Sequence, residues 1–185
     1  MYGISRTSKH IGPRYVIAGD PGQKNFGLAI YKRRHKKYRL LGTCQLDNPV
    51  RDLKPPQYTD LAKAFLDEWD AIFTLSGSKL FILERFMARG INSSNSEFVN
   101  VMIGLLTCRV LASKGDIQLI TAAIWKNQYH RCRTSRHTLQ ELYKEVSVSN
   151  HRVDAALIGQ YTINKFDGFK GSRSWITRLE VDYAL

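Results

Sequence analysis

The chain has 185 residues, 43% hydrophobic and 24% charged, which is enough for one α/β domain with a core and short for two. Its apolar runs are far below membrane-spanning length and no apolar signal segment follows Met1, so we expect a soluble protein with no membrane partner. Cys44, Cys108 and Cys132 are widely spaced, which excludes a disulfide framework or a zinc knuckle and favours a reducing, cytoplasmic location.

The charge distribution is strongly basic. The net charge is +12, from 28 Lys and Arg against 16 Asp and Glu. Residues 1–39 contain ten Lys and Arg and a single acid, Asp20. This excess predicts a polyanionic partner, most simply nucleic acid, bound through counterion release. A solubility surface and a contact with an anionic membrane are the alternatives.

Residues 1–14 are polar, basic and interrupted by Gly and Pro, which predicts a flexible arm. A short transit peptide is the alternative, and an organellar or viral origin stays open. Three β-rich runs follow, joined by tight turns, and they predict an antiparallel meander at 15–20, 25–31 and 38–46. The charged turn at 32–37 connects the second strand to the third.

The spacing of apolar residues then becomes helical. It predicts helices, the first capped by Thr59 or Asp60, over 59–73, 94–114, 135–146 and 153–163. Two further strands are predicted at 79–84 and 117–121, and crossover connections would place both parallel to the first strand. The prediction is an α/β domain over 15–168, with a five-stranded mixed sheet flanked by helices, and a tail at 169–185.

Acidic residues follow two of the predicted strands. Asp20 ends the first strand, and Glu84 ends the apolar run FILE. If these strands are adjacent and parallel, their ends lie about 4.8 Å apart. Two carboxylates at that separation repel one another unless a cation lies between them. Because Mg²⁺ prefers oxygen ligands, the pattern indicates a metal site.

A third carboxylate, Asp154, is predicted in the first turn of the last helix, with His151 three residues earlier on the same side. On a basic protein this cluster indicates phosphodiester cleavage with two metal ions. Each residue also has a structural explanation. Asp20 before Pro-Gly is typical of a turn, Glu84 of a strand end at the surface, Asp154 of a helix N-terminus and His151 of a loop.

Four segments resemble, in order, the RuvC-type Holliday junction resolvases of the ribonuclease H-like superfamily. IAGDPGQKNFGLAI is similar to the first-strand D-x-G-x-x-N-x-G signature, and FILERFMARGINSSN to the second acidic motif with its aromatic loop. ITAAIWKNQY resembles the segment that carries a lysine, and HRVDAALIGQY the C-terminal acidic helix. The resemblance covers about residues 15 to 165. It implies a ribonuclease H-like fold and an endonuclease that resolves four-way DNA junctions in recombination and repair.

The resemblance also implies site residues. Asp20, Glu84 and Asp154 would be the metal-binding catalytic carboxylates, holding two Mg²⁺ ions. His151 stands where many relatives have a second aspartate, and imidazole suits Mn²⁺ better than Mg²⁺, so the metal preference stays open. Lys126 would correspond to the lysine near the scissile phosphate, where its charge can stabilise the transition state. A solvated surface lysine is the alternative.

DNA contacts are expected beside the acidic cluster. An aromatic at the position of Phe86 is implicated in opening or stacking on junction bases in relatives, although a core residue would look the same. Candidate phosphate contacts are Arg85, Arg89, Arg131, Arg133 and Arg136. The basic stretch at 32–39 is a further candidate, with a solvated hairpin tip as the alternative.

Symmetric nicking of a junction predicts a two-fold homodimer. The helix at 94–114 offers an apolar face for that contact, although a buried core helix would have the same pattern. Two other functions remain open at this point. One is a nuclease of the same fold acting on other branched DNA or on an RNA–DNA hybrid. The other is a non-catalytic, basic nucleic-acid-binding protein.

Overall fold

A computed structural model describes residues 12–22, 25–35, 37–47, 60, 63–64, 66–67, 69–85, 93–130 and 150–166. The strands are β1 (Tyr15–Pro21), β2 (Asn25–Arg34), β3 (Lys37–Asp47), β4 (Lys79–Glu84) and β5 (Asp116–Ile120). The helices are α1 (Asp70–Phe73), α2 (Ser93–Ala112), α3 (Ala122–His130) and α4 (Asn150–Phe166). Most of the predicted arm at 1–14, the predicted helix at 135–146 and the tail at 169–185 lie outside the described residues.

The five strands form one mixed sheet in the order β3-β2-β1-β4-β5. β2 is antiparallel to both β1 and β3, whereas β4 is parallel to β1 and β5 is parallel to β4. β1 is therefore central, and all seven of its residues are buried. The predicted α/β architecture, with a meander followed by parallel crossovers, is confirmed.

The alternation of side chains along the strands divides the core into two layers. Val16 and Ala18 face α4, in a cluster that also contains Trp125 of α3. Tyr15 and Ile17 face the opposite side, where they pack with the buried side chains of α2 and with Trp69. The apolar residues of α2 that suggested a dimer contact fill this second layer, among them Phe98, Met102, Leu106 and Val110.

Several boundaries differ from the sequence predictions. β2 extends to Arg34 and β3 begins at Lys37, so most of the predicted charged turn belongs to the strands, and His35 takes a left-handed conformation (φ 57°) between them. α4 begins at Asn150, so Asp154 lies in its second turn rather than its first. The helix α3 was not predicted. Its first residues show no helical apolar stripe, because Trp125 is the one buried side chain among the described residues 122–126.

Cys44 of β3 and Cys108 of α2 are both exposed. Cys132 lies outside the described residues. In the part of the chain that the structure describes, no helix has the length and apolar character needed to span a membrane.

Candidate active site

Asp20 and Glu84 meet at the carboxyl ends of two neighbouring parallel strands. Gly19 of β1 is in register with Leu83 of β4, and each acid is the next residue of its strand. Continuing the alternation from Ala18 and its partner Ile82 places both carboxylates on the α4 side of the sheet. Asp20 is 8% exposed and belongs to β1, so its interpretation as a turn residue is wrong.

The helix α4 lies unusually close to this sheet edge because a glycine faces it. Gly27 of β2 is in register with Asp20, and a Cβ on Gly27 would overlap the carbonyl group of His151. Only a residue without a side chain allows that approach. Farther along the helix, the buried hydroxyl of Tyr31 donates a hydrogen bond to the carbonyl of Ala156 at 2.6 Å. These contacts fix the first two turns of α4 over the ends of β1 and β2.

Arg152 attaches the same end of α4 to the edge strand. Its guanidinium donates to the hydroxyl of Thr43 at 3.1 Å and to the carbonyl oxygen of Thr43 at 2.7 Å. A planar guanidinium that binds two oxygens of one residue fixes orientation as well as distance. The neighbouring residue, His151, is therefore held at a defined position above the sheet.

His151 contacts Asp20 directly, with 2.7 Å between His151 Nδ1 and Asp20 Oδ2. This hydrogen bond raises the pKa of His151 above its ordinary value of 6.5, although partial burial opposes the rise. The charges of Asp20 and Asp154 raise the pKa further, and that of Lys126 lowers it. His151 is thus a helical residue engaged with a buried carboxylate, and its interpretation as a loop histidine is wrong.

Glu84 is held by an indole. Trp125 Nε1 donates to Glu84 Oε2 at 2.7 Å, and the Trp125 side chain is itself fully buried. Burial and the neighbouring charge of Asp20 raise the pKa of Glu84 above 4.5, whereas Lys126 and the indole hydrogen bond lower it. Glu84 is therefore a half-buried carboxylate whose charged form is disfavoured by burial and by the charge of Asp20, rather than a strand end exposed to solvent.

Lys126 and Asp154 complete the group. Lys126 Nζ lies 3.6 Å from Asp154 Oδ2, and it also lies 4.8 Å from the centre of the Trp125 ring. The Asp154 side chain is 14% exposed and that of Lys126 is 43% exposed, so the lysine reaches inward from the surface to a nearly buried acid. An interpretation of Lys126 as a purely solvated lysine does not fit these contacts.

The sequence-predicted cluster is therefore assembled from three elements at one edge of the sheet. The pKa of Glu84 responds to the charges of Asp20, Lys126 and Asp154, which shows that these groups lie within electrostatic range of one another. Each acid contacts a different partner: Asp20 contacts His151, Glu84 contacts Trp125 and Asp154 contacts Lys126. Within the described ranges, no three His, Cys, Asp or Glu side chains converge into a ready-made metal site.

The donor chemistry nevertheless suits a hard divalent cation. Three carboxylates share an edge that is poor in solvent, and burial together with the negative charge of Asp20 raises the pKa of Glu84. A bound cation would stabilise the charged form of such carboxylates, and Mg²⁺ prefers oxygen ligands of this kind. For two acids to bind one ion, their side chains would have to turn away from His151, Trp125 or Lys126, which they contact in this structure.

Of the side chains beside the acidic cluster that are predicted to contact DNA, the structure describes Arg85. Arg85 is exposed immediately after Glu84, and its backbone N–H donates to the carbonyl oxygen of Ile120 at 2.6 Å. The other predicted contacts lie outside the described residues: Phe86, Arg89, Arg131, Arg133 and Arg136.

Two functional residues were missed from the sequence. Gly27 belongs to the first motif, where the acid is the predicted site residue, although a glycine in a strand interior often marks a close backbone approach. Trp125 stands beside Lys126, the predicted site residue of its own motif. A buried tryptophan needs an acceptor for its N–H, and that rule was the available signal.

Comparison with solved structures identifies the architecture. The structure of Thermus thermophilus RuvC in complex with a Holliday junction substrate matches with a TM-score of 0.60 and 15% identity, covering 83% of this chain and 96% of RuvC. The fowlpox virus resolvase, solved with Holliday junction DNA, matches with a TM-score of 0.55 and 12% identity, over 82% of this chain and 98% of that one. The chain has the RuvC-type, ribonuclease H-like fold. The resemblance predicted from the sequence is confirmed at this level.

The RuvC-like fold is recognised through structure rather than through sequence. No protein-family model matches the chain, and no curated protein sequence matches it. Identities of 12–15% to the solved structures show the fold alone. The assignment of an activity therefore depends on the side chains at the carboxyl edge of β1 and β4.

Proposed function

We propose that the protein is a divalent-metal-dependent endonuclease, a hydrolase that resolves four-way DNA junctions by a pair of symmetric nicks. The observation that carries the proposal is the position of Asp20 and Glu84, one residue beyond the register pair Gly19–Leu83 and on the side of the sheet covered by α4. A fold alone does not define an activity, but acids at adjacent strand ends with basic surroundings favour phosphodiester cleavage.

The roles follow from charge and position. Asp20, Glu84 and Asp154, with His151 as a nitrogen ligand, would hold two Mg²⁺ ions, with Mn²⁺ as a substitute, because the three acids provide the oxygen donors of the edge. Ions held there would supply activation of a water nucleophile and stabilisation of the leaving oxygen. The resemblance to the RuvC-type resolvases implies 5′-phosphate and 3′-hydroxyl ends. Lys126 would stabilise the negative charge that develops on the phosphate in the transition state.

Lys126 and His151 would have a second role before substrate and metal bind. Lys126 lies 3.6 Å from Asp154, and His151 lies 2.7 Å from Asp20, so a positive charge is available to each of these acids. In the metal-free protein these partners reduce the repulsion among the carboxylates. His151 then releases Asp20 most easily in its neutral form, because a neutral imidazole binds a carboxylate less strongly.

We propose a homodimer as the active assembly, since two related nicks require two related sites. The apolar residues of α2 that face the sheet are used in the core, so the contact belongs to its outer side and to β5. Leu111 is 59% exposed and Leu119 is 48% exposed there, and large apolar side chains at such exposure favour burial against a partner. The expected compartment is reducing and contains DNA.

A nicking assay on a synthetic four-way junction tests the proposal. With Mg²⁺ or Mn²⁺ we expect paired nicks in opposite strands, and with a chelator no cleavage. Asp20→Asn and Glu84→Gln should each lower the single-turnover rate by at least about 100-fold, the scale of losing an electrostatic group that acts in the transition state. Junction binding should be retained, because both substitutions remove negative charge.

The matched control is Asp67→Asn, which removes an exposed helical acid away from the site and should cut at the wild-type rate. A flap and an RNA–DNA hybrid serve as competing substrates. Faster cleavage of either would change the assigned substrate while keeping the site. Junction binding without metal-dependent nicking would instead indicate a non-catalytic nucleic-acid-binding protein.

A further inference from the structure

A cluster of positive charge lies at the end of the sheet opposite to the acids. No Asp or Glu occurs between Asp20 and Asp47, whereas the tip of the β2–β3 hairpin is rich in Lys and Arg. The basic patch, as defined here, consists of Arg14, Lys32, Arg34, Lys37, Arg39 and Lys79. Its exposed members are Arg14, Arg34 and Lys37, and the others are half-buried.

Strand register places most of the patch on one face. Lys32 is in register with Arg39 on one side and with Tyr15 on the other, and Tyr15 is in register with Lys79. Since residues in register point to the same side of a sheet, three cations and one tyrosine form a row across four strands, on the α2 side and therefore on the opposite face from the acids. Arg34 and Lys37 form a second pair beyond that row, at the tip.

The Tyr15 ring holds two of these cations at the surface. The Arg14 guanidinium carbon lies 5.7 Å from the ring centre, and Lys32 Nζ lies 5.9 Å from it. Tyr15 itself is 4% exposed. Contacts of this kind restrain two long side chains that would otherwise move freely in solvent, so that their charges remain over the row.

Two like-charged pairs stand directly opposite each other, Lys32 with Arg39 and Arg34 with Lys37. Such pairs destabilise an antiparallel ribbon by up to about 1 kcal/mol each in general. A protected sheet edge would explain charges on β3, which is the edge strand. It does not explain Lys32 and Arg34 on β2, because that strand is paired on both sides.

We propose that the basic patch binds the phosphate backbone of a DNA duplex as it leaves the site, a role that rests on the proposed junction-cleaving function. The patch cannot reach the scissile phosphate. Lys32 is level with Tyr15, five residues before Asp20 along β1, which corresponds to about 17 Å, and Arg34 is two residues farther, at about 23 Å. With one base pair per about 3.4 Å, the contacted phosphates lie at least roughly five base pairs from the cut.

The chemistry of the patch favours nucleic acid over an anionic membrane. Membrane-surface segments combine cations with apolar side chains that enter the lipid boundary. Among the described residues, the large exposed apolar side chains are Leu111, Leu119 and Ile124, none of which belongs to the hairpin. A tip that presents cations without an apolar anchor matches a backbone of phosphates, which needs neutralisation alone.

The test is a chemical double-substitution cycle measured in chelator, so that binding is separated from cleavage. The protein variant is Lys32→Gln/Lys37→Gln, and the DNA variant carries neutral methylphosphonates in successive windows along each junction arm. We expect the protein variant to bind the unmodified junction about 10- to 30-fold more weakly at 0.15 M salt and to reduce the salt-dependence slope by about two. Its thermal unfolding temperature should stay close to that of the wild type, because removal of one member of each like-charged pair offsets loss of the Lys32–Tyr15 contact.

The decisive result is a window five or more base pairs from the cut where methylphosphonates weaken binding of the wild type but not of the variant. The matched control, Lys63→Gln/Lys114→Gln, removes two exposed cations elsewhere and should keep wild-type affinity and slope. The inference would be overturned if the control lost as much junction affinity as the variant, or if no such window were found. It would also be overturned if the variant bound the junction normally and lost only its binding to phosphatidylserine vesicles. Wild-type nicking in the same preparation separates this outcome from failure of the proposed function, which predicts cleavage whether or not the patch binds.

Discussion

At the scale of single residues, Trp125 is a direct hydrogen-bond partner of Glu84 and favours its charged form. Its indole N–H donates to Glu84 at 2.7 Å while burial and Asp20 disfavour the charged carboxylate. The indole therefore acts through Glu84 and would not itself touch the substrate. A hydrogen bond that orients a metal-binding carboxylate typically changes metal affinity or activity by 10- to 100-fold when removed.

We expect Trp125→Phe to raise the Mg²⁺ concentration needed for half-maximal nicking by about 10-fold, because an aromatic ring still fills most of the buried position while the N–H donor is lost. The loss of the donor also raises the pKa of Glu84 further, so the acid limb of the pH–rate profile should move to higher pH. Metal titrations of nicking at several pH values measure both effects.

Tyr31→Phe is the control for this substitution, since it removes another buried hydrogen bond, from Tyr31 to Ala156, without touching a carboxylate. It should lower the free energy of unfolding by about 1 kcal/mol and leave the metal requirement unchanged. If Trp125→Phe behaved in the same way, the indole would have a structural role alone.

The metal-free protein should become less stable as the pH rises. The folded-state pKa values of His151 and Glu84 both lie above their ordinary values of 6.5 and 4.5, so the folded protein binds more protons than the unfolded chain. Their stabilising contribution is complete below the ordinary value of each group and is lost as the pH rises through the folded value. The unfolding temperature measured in chelator from pH 5 to pH 9, at steps of about one pH unit, tests this trend.

His151→Asn isolates the histidine contribution, because asparagine can still contact Asp20 but does not titrate. The difference in unfolding temperature between wild type and His151→Asn should shrink as the pH rises above 6.5. A difference that stays constant over this range would show that the His151–Asp20 contact does not depend on protonation of the imidazole.

At the scale of elements, the approach of α4 to the sheet depends on Gly27. Gly27→Ala would place a methyl group against the backbone of His151, where a peptide rather than a flexible side chain must move. We expect a loss of about 1–3 kcal/mol in the free energy of unfolding, together with a loss of nicking, because α4 carries His151 and Asp154. Chemical denaturation and single-turnover kinetics measure the two effects.

Gly104→Ala is the matched control, since no atom lies within 4 Å of a Cβ built on Gly104 in the middle of α2. Alanine there should stabilise the helix by up to about 1 kcal/mol and leave cleavage unchanged. A neutral Gly27→Ala substitution would mean that the close packing of α4 is not required for the site.

The elements that carry the acids were predictable because their signals are local. The run FILE identified β4, the period of VDAALIGQY identified α4, and crossover connections then placed Asp20 beside Glu84. The partners of the acids were not predictable, since Trp125 reaches Glu84 across 41 residues of sequence and His151 reaches Asp20 across 131. Contacts of that separation depend on packing, and no periodicity records them.

At the scale of the whole molecule, the acids lie at one end of β1 and the basic patch at the other. A four-way junction presents phosphates both at its centre and along its arms, so one surface would cut while the other holds an arm. The two surfaces are separated by about 17 Å along β1, more than a Debye length at physiological salt. Substitutions in one should therefore change the properties of the other little.

The dimer proposal belongs to this scale as well. Leu111→Glu/Leu119→Glu adds two charges to the exposed side of α2 and β5 and should shift the protein from dimer to monomer in light scattering. Cleavage of a cruciform plasmid should then change from paired nicks to single nicks. Cys44→Glu, on the exposed surface of β3 at the opposite edge of the sheet, is the control and should remain dimeric. A wild-type monomer that still makes paired nicks would contradict the dimer.

Direct measurement of Mn²⁺ binding tests the central claim that the acids at the ends of β1, β4 and α4 share divalent cations. Electron paramagnetic resonance of free Mn²⁺ gives the number of bound ions without any dependence on activity. We expect about two ions per wild-type chain, fewer in Asp20→Asn, Glu84→Gln and Asp154→Asn, and two in Asp67→Asn. Equal binding by the wild type and the three site variants would contradict the account.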